Sequence, residues 1–341
     1  MIKIDKLIEN LEPQVRDAFV ASVNRVTGQV RLSELVAALQ VGDIEAALQI
    51  VRMDRGAFRP YEQAFAAAYG AGGDEAYAAL VKQGRARGAQ VRGYFSEANL
   101  RAQRFVENRS SMLIAEINDG TRAAVRNMLS TGMQTNTSPR TAALNLVGRV
   151  NRATGVREGG LVGLTSGQQR WAAGAAMDLL QGDGAAYFKR TARNRAYDKA
   201  IRAALQRNGR VPAQLRDRAV LGYKNNLLRY RGETIARTEL LGGLHSAQDE
   251  AVTQMMENEN MPQDSITELW DASNDASTRE SHAAMDGQKR GRGEPFTTGA
   301  GYSLLYPGDR SSGAPVEEIV NCRCVKRVDV DWTFMLKQGA A

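Results

Sequence analysis

The spacing of apolar residues constrains this chain more than any other feature of its sequence. Up to about residue 260 these residues recur every three or four positions, which is the period of a helix with one buried face. After Pro262 the stretches ITELWDA and VNCRCVKRVDVDW alternate between apolar and polar residues, as short strands do. The pattern predicts a mainly α protein, with a long helical N-terminal region followed by a compact C-terminal α+β domain.

Three consecutive regions follow from this pattern. We expect an N-terminal helical region over residues 1–75, a basic helical region over 76–230 and the α+β domain over 231–341. The glycines of residues 70–74 favour a hinge near the first boundary. A chain of 341 residues is long enough for two or three domains, each with its own core.

Charge is distributed unevenly along the chain, although the formal net charge is only +7. Residues 1–230 carry 34 basic and 20 acidic side chains, whereas residues 231–341 carry 11 and 18. Regions of opposite sign favour different partners.

Membrane insertion and secretion are not expected. No apolar run approaches the ~18 to 20 residues that a membrane-spanning helix needs. The charged start of the sequence lacks the apolar stretch of a secretory signal. With only two cysteines there is no disulfide framework, so we expect the chain to fold in a reducing cytoplasm.

Five short motifs follow one another in the last third of the chain. They are IARTE at 235–239, WDASNDASTRESHAAMDGQ at 270–288, EPF at 294–296, LLYPGD at 304–309 and NCRC at 321–324. Their order resembles that of the Mu-F-like head morphogenesis family of tailed bacteriophages, over roughly residues 100–330 and most strongly over 231–327. We interpret the motif positions as structural: Arg237, Thr238, Glu239, Trp270, Asp271, Asp275, Arg279, His282, Asp286, Gly287, Pro307, Asp309, Asn321, Cys322 and Cys324.

The resemblance implies a minor protein of the phage head. Such a protein would be assembled beside the portal protein, with major capsid or scaffold proteins as neighbours, and would act in head formation or in DNA packaging or ejection. It would be found in the virion, and in the host cytoplasm during assembly.

The resemblance also implies an ADP-ribosyltransferase-like fold for the C-terminal module, which leaves an enzyme or effector as the alternative. Shared fold does not establish activity. That chemistry would use residues such as Arg237 and Glu239, or Glu317 and Glu318, but a buried helix–sheet ion pair explains the first two. The stretch DASTRESHAAMDG reads as a capped short helix closed by Gly287, without a nucleophile–base pair. We therefore expect no catalysis and no cofactor.

Positive charge is concentrated in residues 189–230, which hold twelve Lys or Arg and two acidic residues. The candidate DNA-binding residues are Lys189, Arg190, Arg193, Arg195, Lys199 and Arg202. They would neutralise phosphates of double-stranded DNA without reading bases. A solvated helical face, or a face that docks on an acidic portal or capsid surface, explains the same charge.

Three of the four His and Cys residues fall in the family motifs. His282, Cys322 and Cys324 are weak candidates for a zinc site, with Asp275 or Asp286 as a fourth ligand and both cysteines on one face of a strand. Cys-x-Cys is not the usual zinc-knuckle spacing, so we expect small buried cysteines and less than one zinc per chain. A disulfide between residues two apart in a strand is poorly placed.

Overall fold

The computed structural model describes residues 4–135 and 137–334. The helices are α1 (Ile4–Gln29), α2 (Leu32–Gln40), α3 (Ile44–Ile50), α4 (Arg55–Ala86), α5 (Leu100–Thr135), α6 (Pro139–Val147), α7 (Ser166–Gln181), α8 (Gly184–Lys189), α9 (Asp198–Asn208), α10 (Ala213–Glu259), α11 (Glu280–Ala283) and α12 (Val316–Ile319). The strands are β1 (Arg149–Val150), β2 (Arg157–Glu158), β3 (Ile266–Asp271), β4 (Lys289–Gly291), β5 (Phe296–Thr297), β6 (Ser303–Leu304) and β7 (Val325–Val330). Short 3₁₀ turns occupy Arg195–Tyr197 and Gln263–Ser265.

The mainly α prediction with a small C-terminal α+β part is confirmed. The structure is 65% helical, and the strands of its three-stranded sheet all follow Pro262. Two helices begin at side-chain caps that lie close to them in the sequence. Ser138 caps α6 with Pro139 as its first residue, and Thr165 closes a capping box with Gln168 at the start of α7. Within the described residues, no helix is long and apolar enough to span a bilayer.

The chain divides into two compact units. The sheet unit consists of residues 1–16, 62–109 and 233–341, and the basic unit of residues 17–61 and 110–232. Neither unit is one continuous stretch of chain. The three predicted regions, 1–75, 76–230 and 231–341, are continuous segments and are not directly comparable with these units. They stay a prediction from the apolar pattern and the charge along the sequence.

The glycines of residues 70–74 do not form the expected hinge, because they lie inside the unbroken helix α4. A Cβ on Gly73 would overlap the Phe95 ring, and a Cβ on Gly72 would overlap the Leu244 side chain. These glycines allow neighbouring segments of the sheet unit to pack closely.

The sheet unit contains an antiparallel sheet with strand order β4-β3-β7. Ile266 pairs with Val330 at one end of β3, and Asp271 pairs with Val325 at the other. Alternate residues of β3 are buried, and Trp270 at its end is fully buried. The Trp270 ring makes edge contacts with His282 and Phe296, so the family tryptophan lies at the core of this unit.

The basic unit is helical around a core of small and aromatic residues. Ala172, Tyr187, Ile201 and Tyr223 are among the buried members of this core. The stretch from Ala185 to Arg207 is not one continuous helix. Helix α8 ends at Lys189, a 3₁₀ turn covers Arg195–Tyr197, and α9 begins at Asp198. The candidate DNA-binding residues are therefore not on one continuous helix.

Candidate metal centre and basic surface

Three of the predicted metal-ligand candidates converge in the sheet unit. Nδ1 of His282, on α11, lies 3.3 Å from Sγ of Cys322 and 3.6 Å from Sγ of Cys324. All three side chains are buried, and both cysteines are free thiols. Among the described residues, they form the single group of His, Cys, Asp or Glu side chains with the spacing of metal ligands.

The two cysteines do not lie on a strand, contrary to the expectation from alternation. Strand β7 begins at Val325, and Asn321 before the cysteines has a left-handed backbone with φ of 55°. The Asn321 amide donates to Oγ1 of Thr238, at 3.3 Å. Thr238 and Asn321 of the family motifs thus position the segment that carries both cysteines.

The thiols and the imidazole are electrostatically linked. The hydrogen bond between the two thiols, together with burial, raises the pKa of Cys322. The same hydrogen bond and the contact with His282 lower the pKa of Cys324 to about 5. On the other side of the ring, Nε2 lies 2.9 Å from Oε2 of Glu318, although its N–H does not point along that line. The Ser281 hydroxyl donates to the same oxygen at 2.9 Å.

Asp275 and Asp286, the proposed fourth ligands, are not part of this cluster. Asp286 accepts from the Ala272 amide, which is the main cause of its lowered pKa, and from Asn274. Asp275 accepts from the Ser277 amide, which likewise lowers its pKa, and pairs with Arg323. The prediction of a carboxylate ligand from this loop is wrong because both carboxylates stabilise turns.

Arg279 and Gly287 delimit the short helix α11. Arg279 stands at its N-terminal boundary without a side-chain capping bond, and its guanidinium donates to the Val320 carbonyl. Gly287 has a left-handed backbone, φ of 77°, after the helix. The interpretation of this stretch as a short helix closed by glycine agrees with the structure, but its expected side-chain cap is not observed. Asp271, at the end of β3, pairs with Arg327 of β7.

The IARTE motif on α10 separates its two charges. Glu239 is buried and pairs with Arg109 of α5, and its other oxygen lies 3.1 Å from Arg310. Arg237 is exposed and lies 3.6 Å from Glu12. A buried ion pair exists at Glu239 alone; it joins two helices and a loop rather than a helix and the sheet, and Arg237 takes no part in it.

The YPGD turn is organised by the buried carboxylate of Asp309. It accepts hydrogen bonds from the Leu305 and Ser311 amides and from the hydroxyls of Ser311 and Ser312. After Pro307, Gly308 brings its carbonyl so close to α10 that a Cβ on Gly242 would lie 2.8 Å from it. This approach explains why glycine stands at both positions.

A buried charge network was missed by the sequence reasoning. Nζ of Lys326 contacts Asp249 and lies 3.0 Å from Glu268, while Arg292 lies 3.0 Å and 2.6 Å from the same two carboxylates. Burial alone would raise the pKa of Asp249, but Lys326 and Arg292 outweigh it and the pKa is lowered. The sequence nevertheless contained a signal for this network. Lys326 lies two and four residues before Val328 and Val330, so in a strand all three side chains lie on the same face, the one that is turned inward.

The six candidate DNA-binding residues are in two different situations. Arg190 is half-buried and lies 2.6 Å from Asp178, and Arg193 is half-buried and lies 3.1 Å from Asp198. The other four, Lys189, Arg195, Lys199 and Arg202, are exposed. Arg202 also stacks on Phe188, 3.9 Å from the ring centroid. Arg190 and Arg193 form ion pairs within the basic unit. The four exposed residues, Lys189, Arg195, Lys199 and Arg202, form what we call the basic surface.

Fold and site together define a class: a mainly helical protein with a small antiparallel sheet, a buried His–Cys cluster beside that sheet and a separate basic helical unit. Residues 179–327 match the family model described as Phage Mu protein F like protein. Over these residues the chain is similar to that phage family, and all five motifs lie inside the match. The match begins at residue 179, later than the position near 100 expected from the motifs. No curated protein and no solved structure matches the chain.

Proposed function

We propose that the protein is a minor component of the phage head that assembles with the portal protein and with major capsid or scaffold proteins. Its mechanism is binding and assembly, with the basic unit facing the packaged or passing double-stranded DNA. The observation that carries the proposal is the segregation of charge within a chain that is similar to this family. The basic unit has 25 basic and 12 acidic residues, net +13, whereas the sheet unit has 20 and 26, net −6.

The basic surface supports contact with phosphates rather than with bases. Its four cations are exposed on long side chains of α8, α9 and the turn between them, which suits neutralisation of a backbone. No ion pair to Lys189, Arg195 or Lys199 occurs among the described residues, so their charge is available to a partner.

DNA binding is tested by titrating the full chain with double-stranded DNA at several salt concentrations. We expect binding at low salt that weakens steeply as salt rises. Changing Lys189, Arg195, Lys199 and Arg202 to Gln should make the plot of log affinity against log salt shallower by up to about 4, roughly one for each lost phosphate contact.

A matched control removes the same charge from the sheet unit. Changing the exposed residues Lys82, Arg85, Arg104 and Lys289 to Gln lowers the net charge of the chain equally. If DNA contact occurs through the basic surface, this control keeps the wild-type slope. Equal loss in both variants, or no binding by the wild type at low salt, contradicts the DNA part of the proposal.

The assembly part is tested in infected cells. We expect the protein to co-purify with the portal and to be present in heads, and mass spectrometry of full and emptied particles will show whether it leaves with the DNA. Heads that contain the portal but never this protein would contradict the proposal.

The absence of turnover is a separate part of the proposal. Of the glutamates that ADP-ribosyl transfer would use, Glu239 is buried against Arg109 and Arg310, and Glu318 is buried beside His282. Glu317 is exposed on the four-residue helix α12. We expect no label transfer from labelled NAD to host extract; transfer that Glu317→Gln abolishes would favour the enzyme instead.

A further inference from the structure

We propose that His282, Cys322 and Cys324 hold one zinc ion through Nδ1 and the two Sγ atoms, which leaves the fourth tetrahedral position to a ligand other than these three residues. The sequence alone favours little zinc, because Cys-x-Cys is an unusual ligand spacing. That argument does not include the third residue, which the fold brings from α11 to within contact of both thiols. The three candidate ligand atoms lie within 4.8 Å of one another.

The distances match those around a tetrahedral zinc ion. With Zn–S bonds of about 2.3 Å and Zn–N bonds of about 2.0–2.1 Å, a nitrogen and a sulfur ligand stand about 3.6 Å apart. The observed Nδ1–Sγ distances are 3.3 Å and 3.6 Å. The side chains therefore stand at the required spacing without a change of fold.

A hydrogen-bonded dithiol explains the cluster less completely than a metal does. Nδ1 of a neutral imidazole carries either one lone pair or one proton, so it can form one full hydrogen bond with a sulfur atom at a time. Both Sγ atoms nevertheless approach this one nitrogen. A zinc ion would use the lone pairs of all three atoms, and two thiolates would balance its charge.

The carboxylate beside the imidazole favours the tautomer that a metal ligand needs. Metal-binding histidines commonly have a carboxylate beside the other ring nitrogen, which favours the proton there and leaves the ligating nitrogen unprotonated. Here Oε2 of Glu318 lies 2.9 Å from Nε2, and Ser281 donates to that oxygen. The edge of the His282 ring is further held against Trp270.

Ligand chemistry and burial indicate zinc as the metal. Thiolate and imidazole together suit zinc better than the oxygen-seeking Mg²⁺ or Ca²⁺. The side chains of His282, Cys322 and Cys324 are 1%, 3% and 1% exposed. Helices α11 and α12 have four residues each, and both cysteines lie between α12 and β7, so a metal bound here would join these elements to α11.

Elemental analysis of the full chain, purified without chelators from zinc-supplemented cells, tests the site. We expect about one zinc per chain, with background zinc in Cys322→Ser and in His282→Ala. Ser110→Ala is the control, because it changes a fully buried polar residue of the basic unit and should keep the zinc.

Misfolding of a variant could also remove zinc, so the wild type is tested directly. Replacement of zinc by Co²⁺ should produce a thiolate-to-cobalt charge-transfer band, and a thiol reagent should react slowly until a chelator is added. A wild-type protein without zinc whose two thiols react at once overturns the proposal. So does zinc retained by the Cys322→Ser/Cys324→Ser double variant, or a disulfide between these residues in protein kept under reducing conditions.

Discussion

The sheet unit buries several of its charged side chains against partners of opposite charge, whereas in the basic unit most of the positive charge is exposed to solvent. Lys326, Glu239 and Glu268 of the sheet unit are all buried against partners of opposite charge. Lys199 and Arg195 of the basic unit are exposed. The comparison shows that the net charge of a region does not by itself identify a binding surface. A charged side chain that is paired inside the protein helps to hold the fold together, whereas an exposed one can bind a partner.

The largest expected effect comes from breaking the buried network. Lys326→Met leaves the carboxylates of Asp249 and Glu268 with Arg292 alone, which should lower the free energy of unfolding by about 3–5 kcal/mol. Lys199→Met in the basic unit should change it by less than about 0.5 kcal/mol. Denaturant unfolding of both variants measures the two changes in the free energy of unfolding. Changes of similar size would contradict the distinction between buried, paired charges in the sheet unit and exposed charges in the basic unit.

The buried His245 of the sheet unit should make stability depend on pH. Burial, and then the charge of Lys326, lowers the pKa of His245 to about 4, below its ordinary value of 6.5. Between these values the unfolded chain binds a proton that the folded chain does not, so stability falls as pH decreases from about 6.5 towards 4.

The size of this effect is on the order of 3 kcal/mol. His245→Gln should reduce the pH dependence of the unfolding free energy over that interval, while other acid-sensitive groups continue to contribute in both proteins. Parallel curves for the variant and the wild type would show that His245 does not titrate in this way.

Glycine packing differs between the units on a smaller scale. Gly73→Ala in the sheet unit would place a methyl group in the Phe95 ring and should cost about 1–3 kcal/mol. Gly28→Ala in the basic unit meets nothing within 4 Å near the end of α1 and should stabilise by up to about 0.5–1 kcal/mol. Thermal unfolding of the two variants shows whether each substitution stabilises or destabilises the protein. Stabilisation by Gly73→Ala would contradict close packing at this glycine and favour the hinge interpretation again.

Local order was predictable because it depends on neighbours along the chain. The apolar period indicated α1 and α10, and the alternation of ITELWD indicated β3. Caps at Ser138 and Thr165 could be read directly, since a cap needs residues within four positions of one another. The same reasoning erred at residues 70–74, where glycine freedom suggested a hinge and close packing is the actual reason.

The candidate site was predictable in composition but not in geometry. Sequence reasoning named His282, Cys322 and Cys324, yet it placed the cysteines on a strand and chose Asp275 or Asp286 as their companion. Those carboxylates are occupied by backbone amides of their own loop. Glu318, which lies beside the imidazole, was considered only for catalysis.

The sequence by itself determined the helical class, the change to strands after Pro262, the family motifs and the location of the positive segment. Each of these depends on composition or on short-range spacing. Only the tertiary structure decided which charges are exposed and which are paired, because the partners are far apart in the chain. Glu239 pairs with Arg109, Lys326 with Asp249, and His282 with two cysteines about forty residues away. Burial makes those pairings energetically decisive, and burial exists only once the chain has folded.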